Sequence, residues 1–101
     1  MKATVITYRT RGPEEAATNQ RLIEGVFAEL AERDPDGVRY TVLRHADGIG
    51  FTHIVLAGRD DDALTGLAAF KEFQREIGDR LAAPPDVTEA TVLGTHRVLP
   101  D

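Results

Sequence analysis

Two hydrophobic rhythms alternate along this chain. Residues Ala3 to Arg9 gather Thr, Val, Ile and Tyr as a pleated strand favours. Pro13-Glu14-Glu15 then offers a proline suited to a first helical turn and carboxylates for the positive end of the helix dipole. Leu22, Ile23, Val26, Phe27 and Leu30 follow at helical spacing, which predicts a helix over 13–33 that stops before Pro35. Strands are expected at Val38 to Ala46 and Phe51 to Gly58, joined by the turn chemistry of Asp47-Gly48-Ile49-Gly50. A second helix opens at Asp60-Asp61-Asp62, any of which can cap it. It carries Leu64, Leu67, Phe70, Phe73, Ile77 and Leu81 on one face, and Ala83-Pro84-Pro85 ends it. A last strand, Val87 to Leu99, bends at Gly94.

Strand, helix, two hairpin strands, helix, strand is the order of a split β-α-β arrangement. The expected fold is α+β and ferredoxin-like: one four-stranded antiparallel sheet with the helices on one face, in a single domain over 1–101. Any even-length turn within 47–50 sets Tyr40, Val42 and Arg44 on one side with Phe51, His53 and Val55, and Thr41, Leu43 and His45 on the other with Thr52, Ile54 and Leu56. The side of Leu43, Ile54 and Leu56 is expected under the helices. The mixed aromatic side would then need a cover, and a second copy packed sheet against sheet would supply it, as a homodimer.

Composition narrows the partners. With 101 residues, 42% hydrophobic and 29% charged, the chain is long enough for one core. A net charge of -5 argues against nucleic acid and anionic membranes, which select a basic face. The absence of cysteine removes disulfides, thiolate nucleophiles and cysteine-bound metals. The segment Met1 to Arg9 is too short and polar for a signal peptide and no apolar stretch approaches a membrane span, so the expected location is cytoplasmic.

Several local signatures carry a family likeness: Asn19 with Leu22-Ile23, Gly37-Val38-Arg39-Tyr40, Asp47-Gly48 with Phe51-Thr52-His53, and Leu67-Ala68-Ala69-Phe70-Lys71-Glu72-Phe73-Gln74. Over nearly its whole length the chain resembles the dimeric α/β-barrel superfamily, and within it the proteins near the antibiotic biosynthesis monooxygenases. The resemblance implies a pocket between sheet and helices or in the barrel lumen, and oxygenation that uses no cofactor. The tryptophan common in such monooxygenase pockets, and required alongside Asn and His by the heme-degrading branch, is missing here. Heme breakdown is therefore a poor reading.

His53 is the candidate catalytic residue, an imidazole in mid-strand able to act as a base or hydrogen-bond a bound oxygen near neutral pH. Tyr40, Arg44 and Phe51 share its face as substrate-binding candidates, with guanidinium and phenol suited to an acidic or phenolic ligand. Tyr8 and Asn19 complete the set. Tyr8 lies on a strand expected beside that of His96, and Asn19 heads a stripe with Ile23, Val26 and Leu30 that turns its amide to the core, where it must be hydrogen-bonded. Each has a structural alternative: a histidine satisfied by a neighbouring carbonyl or the dimer mate, an arginine paired across the interface, a packed tyrosine, an exposed His96, an asparagine tying helix to loop.

A histidine metal centre is disfavoured because His45 and His53 fall on opposite faces, and Arg59-Asp60-Asp61-Asp62 reads as a helix cap. There is no serine for a nucleophile, and Gly48 and Gly50 belong to a hairpin instead of a phosphate loop. Two classes stay open. One is a cofactor-independent monooxygenase acting on a small aromatic or polyketide-like molecule; the other is a binding or structural module without catalysis.

Overall fold

A computed structural model describes residues 2–35, 37–56 and 62–98, with the side chains of residues 62 and 63 left aside. The elements are β1 (Lys2–Arg9), α1 (Pro13–Arg33), β2 (Arg39–Arg44), β3 (Gly50–Leu56), α2 (Asp62–Thr65), α3 (Ala68–Gln74), α4 (Ile77–Arg80) and β4 (Asp86–Thr91). The strands form one antiparallel sheet in the order β2-β3-β1-β4, the ferredoxin-like topology.

Helix α1 begins at Pro13 with Glu14 and Glu15 in its first turn. It ends at Asp34, whose left-handed backbone (φ 43°) returns its N–H to the Leu30 carbonyl just before Pro35. In the β2–β3 turn, Asp47 Oδ1 accepts from the N–H groups of Ile49 and Gly50, both at 2.9 Å, while Gly48 takes φ 81°. Gly50 has no side chain for a direct reason. A Cβ there would stand 2.3 Å from His45 Nδ1.

The hairpin register pairs Tyr40 with Val55, Val42 with His53 and Arg44 with Phe51, so these residues do share a face. The expected choice of face is reversed, however. The core consists of Tyr8, Ala16, Ile23, Val26, Phe51, Leu64, Leu67, Phe73 and Leu81, joined by Ile6, Tyr40, Val42 and Val55, so the Phe51–His53–Val55 side lies under the helices. Leu43, on the other side, is 52% exposed. The aromatic residues explain the reversal: Phe27 of α1 stacks on Tyr40 at 5.2 Å and Phe73 of α3 meets His53 at 5.5 Å, contacts that smaller aliphatic groups on the other face would not fill.

The expected second helix is broken into three pieces. Leu67 is extended between α2 and α3, and Glu76 is left-handed (φ 58°) between α3 and α4. Both breaks have tertiary partners. Glu29 of α1 accepts from the Ala69 N–H at 2.8 Å, replacing a local cap for α3, and the Arg80 side chain donates to the carbonyls of Phe73 (2.6 Å) and Arg75 (3.3 Å) at its other end. Residues 57–61, which hold the first two aspartates of the expected cap, lie outside the described residues, as does Leu99. The last strand is shorter than expected. It ends at Thr91, and Leu93 beyond it is 98% exposed.

Candidate functional site

Between the sheet and the helices, strands β1, β2 and β3 each contribute one polar ring to a single buried chain. Tyr40 Oη lies 2.5 Å from His53 Nδ1, and His53 Nε2 lies 2.7 Å from Tyr8 Oη. The chain continues into α1, where Asn19 Nδ2 donates to Tyr8 Oη at 2.8 Å, and reaches α4, where Arg80 Nε donates to Asn19 Oδ1 at 3.1 Å. Tyr8, Asn19, His53 and Arg80 are all buried, and Tyr40 is half-buried. Every buried side-chain nitrogen and oxygen among the described residues has a partner.

The backbone explains the convergence. Opposite Tyr8 in the register stands Phe51, stacked on it at 5.7 Å, and opposite Ile6 stands His53, so Tyr8 and His53 are diagonal neighbours on one face. Arg80 is brought in by the chain that follows it. Its carbonyl accepts from Arg11 N–H, Leu81 bridges to Thr10, and Ala82 N–H donates to the Arg9 carbonyl. The guanidinium then lies over the Phe73 ring at 5.4 Å.

Burial governs the electrostatics. Desolvation pushes the His53 imidazole down to about 4, so it is neutral at physiological pH. It pushes the Tyr8 phenol up to about 12, opposed by the Asn19 hydrogen bond and the Arg80 charge, and raises Tyr40 further. The expectation of an imidazole that titrates near neutrality is therefore not met. Both ring nitrogens are occupied by tyrosines, and the surroundings are too apolar for the charged form.

Tyr8, Tyr40 and His53 form one wall of a cavity of about 100 Å³ that Phe70, Phe73 and Ile77 also line. A larger pocket of about 370 Å³ adjoins it, sharing Ile6, Val55 and Phe70 and extending toward Val38, Leu56 and Leu64. The larger space has more volume, but the rings of Tyr8, Tyr40 and His53 line the smaller one, whose surface is almost wholly apolar.

The remaining candidates fall elsewhere. Arg44 is exposed, donates to the Gly48 carbonyl through Nε (2.9 Å) and Nη2 (2.6 Å) and to Gln20 Oε1 through Nη1, and covers Phe51 at 5.7 Å. Arg44 and Phe51 line a separate groove with Gln20 and Ile23. His96 is exposed and lies beyond the end of β4, so it is not a strand neighbour of Tyr8. His45 is on the opposite sheet face, its Nε2 2.7 Å from Thr52 Oγ1. Among the described residues no group of acidic, histidine or cysteine side chains is placed to hold a metal.

Arg80 was not among the residues singled out from the sequence. The signal was its spacing, seven residues after Phe73 and three after Ile77, which puts a charged residue on an apolar stripe.

The sheet order with the helices on one face defines a ferredoxin-like α+β domain, and solved structures described as antibiotic biosynthesis monooxygenases share that fold. A Nitrosomonas europaea protein provisionally named an antibiotic biosynthesis monooxygenase superposes with a TM-score of 0.71 at 17% identity, over 93% of this chain and 100% of that one. Rv0793 from Mycobacterium tuberculosis gives 0.66 at 22% identity, over 94% and 98%. SnoaB from Streptomyces nogalater, a cofactor-independent oxygenase, gives 0.63 at 20% identity, over 93% and 94%. No protein-family model and no curated protein matches the sequence.

Proposed function

We propose that this protein binds a small aromatic molecule bearing an oxygen substituent in the cavity at Tyr40 and His53, and oxygenates it as a homodimer without a cofactor. The observation that carries the reading is the buried, neutral His53 held between two tyrosines on the wall of an apolar cavity. The likeness in fold to SnoaB, named a cofactor-independent oxygenase, supports it.

In such a reaction the substrate supplies the electrons. A CH₂ carbon activated by an adjacent oxyanion gives up one proton to solvent, the carbanion adds O₂, the peroxide anion takes a proton back, and the hydroperoxide loses its second C–H hydrogen with hydroxide as water to leave a carbonyl. The site's contribution is to hold the oxyanion. With a conjugate-acid pKa near 4, His53 is a weak base and is better suited to supporting Tyr40 as a hydrogen-bond donor. A cavity of about 100 Å³ is smaller than the roughly 150 Å³ void known to admit benzene, so even a single aromatic ring, and a polyketide-sized system more so, would have to extend past Ile6, Val55 and Phe70 into the larger pocket.

The open sheet face supports the homodimer. Leu43 and Ile54 lie there beside a polar row in which Thr52 meets both Thr7 and His45, a mixed surface suited to a second copy. A second reading, a binding or structural module without catalysis, is favoured by the complete internal pairing of His53.

The test is a ligand-observed NMR screen of phenols and quinols against wild type and His53→Ala, with sedimentation to compare their size. Binding that weakens in the variant, followed by oxygen consumption with the hits, is the expected result. No binding to either protein overturns the reading in favour of the structural module.

A further inference from the structure

The buried chain has a direction, and the residue that sets it is not among those lining the cavity. Arg80 can only donate hydrogen bonds, so the Asn19 amide must turn its oxygen toward Arg80 and its nitrogen toward Tyr8. Tyr8 Oη is thereby an acceptor from Asn19. Three groups remain, Tyr8, His53 and Tyr40, with three protons and two contacts between them, so one hydroxyl proton is left over at one end.

Burial decides which end. If His53 carried its proton on Nε2, Tyr8 Oη would accept twice and its own proton would have no acceptor among the described residues, on a side chain only 5% exposed. If His53 carries it on Nδ1, Tyr8 donates to Nε2, Nδ1–H donates to Tyr40, and the spare proton sits on Tyr40, the less buried of the two phenols, whose ring lines the cavity. That second arrangement moves the spare donor from the more buried phenol to the less buried one. It also aligns every donor head to tail from Arg80 outward, and aligned hydrogen bonds strengthen one another in a low-dielectric interior.

We propose that Arg80, acting through Asn19 and Tyr8, is a positioning residue that holds His53 as its Nδ1–H tautomer and leaves the Tyr40 hydroxyl as the donor to a bound acceptor oxygen. The ligand class follows: a small aromatic molecule whose carbonyl or phenolate oxygen meets Tyr40, in preference to an apolar isostere or a pure donor. The ligand part rests on the function proposed above; the tautomer does not.

The experiment separates the two. In a His45→Gln/His96→Gln background, where His53 is the remaining histidine, long-range ¹H–¹⁵N spectra at pH 7 should show a protonated Nδ1 and an unprotonated Nε2. Asn19→Asp exchanges the donor facing Tyr8 for an acceptor at constant shape, so the chain reverses and the proton should move to Nε2. Acetophenone should bind wild type about five to ten times more tightly than ethylbenzene, the worth of one hydrogen bond, and Tyr40→Phe and Asn19→Asp should abolish that preference.

An Nε2–H tautomer in the unsubstituted chain overturns the proposal even if Asn19→Asp does not fold. An unchanged tautomer in a folded Asn19→Asp overturns the role of Arg80 and Asn19. A preference that survives in Tyr40→Phe overturns the role of Tyr40. If neither probe binds, the small-molecule reading and the ligand part fall together, and the tautomer alone judges the direction of the chain.

Discussion

Two histidines near the same hairpin occupy opposite faces of one sheet. His53 points under the helices, is 4% exposed, and has a tyrosine at each ring nitrogen. His45 lies on the open face, half-buried, with Thr52 as its partner and with its ring packed over Gly50. The difference is made by what lies above each ring. Phe73, Tyr8 and Tyr40 pack around His53, so its polar atoms must be answered by protein groups, and the answer extends through Asn19 to Arg80. On the open face the His45 ring is answered by Thr52, and among the described residues no such buried chain extends from it.

The two faces can be set against each other by substitution. Phe51→Ala should cost about 4 kcal/mol in urea unfolding, because a side chain 1% exposed leaves a cavity beneath α1. Leu43→Ala, on the open face, should cost under about 1 kcal/mol in a monomer. A cost for Leu43→Ala that approaches the Phe51 value and varies with protein concentration would mean that a second copy covers that face.

Acid sharpens the contrast further. His53 titrates near 4 in the folded protein against an ordinary 6.5, so below 6.5 the unfolded chain takes up a proton that the folded chain refuses. Stability is fully present above pH 6.5 and should fall by roughly 3 kcal/mol as pH drops from 6.5 to 4. His53→Gln should flatten that part of the profile measured by chemical denaturation at each pH; a profile unchanged by the substitution would contradict the burial of a neutral imidazole.

Arg80→Met tests the far end of the chain. It keeps much of the packing on Phe73 but leaves Asn19 Oδ1 and the Phe73 and Arg75 carbonyls short of donors, for an expected loss of about 2 kcal/mol. An equal effect from Arg44→Met, whose guanidinium is exposed on the turn, would remove the distinction between the two arginines. The smallest effect is expected of His45→Gln, about 0.5 kcal/mol, since its single Thr52 contact is at a partly wet surface.

Much of this site is legible in the sequence. The stripe of Asn19, Ile23 and Val26 indicated an amide facing the core, and it is fully buried. Pairing across the Asp47–Gly50 turn put Tyr40 and His53 on one face, where they meet. Arg80 escaped because a guanidinium late in an apolar stripe reads as solvent-facing, and its partner Asn19 is 61 residues away. Arg44 misled for the complementary reason: sharing a strand face with His53 does not bring a long side chain to it when the Gly48 carbonyl, Gln20 and the Phe51 ring hold it at the turn end of that face.

By itself the sequence determined the order of the elements, the turn at Asp47–Gly50 and which residues share a face, because those follow from local propensity and from a side-chain period of two along a strand. Only the tertiary structure decided which face lies beneath the helices, where the second helix breaks and how Arg80 enters the polar chain. Those outcomes depend on aromatic packing between distant segments and on the need of buried carbonyls and amides for partners, neither of which is written in any local stretch of the chain.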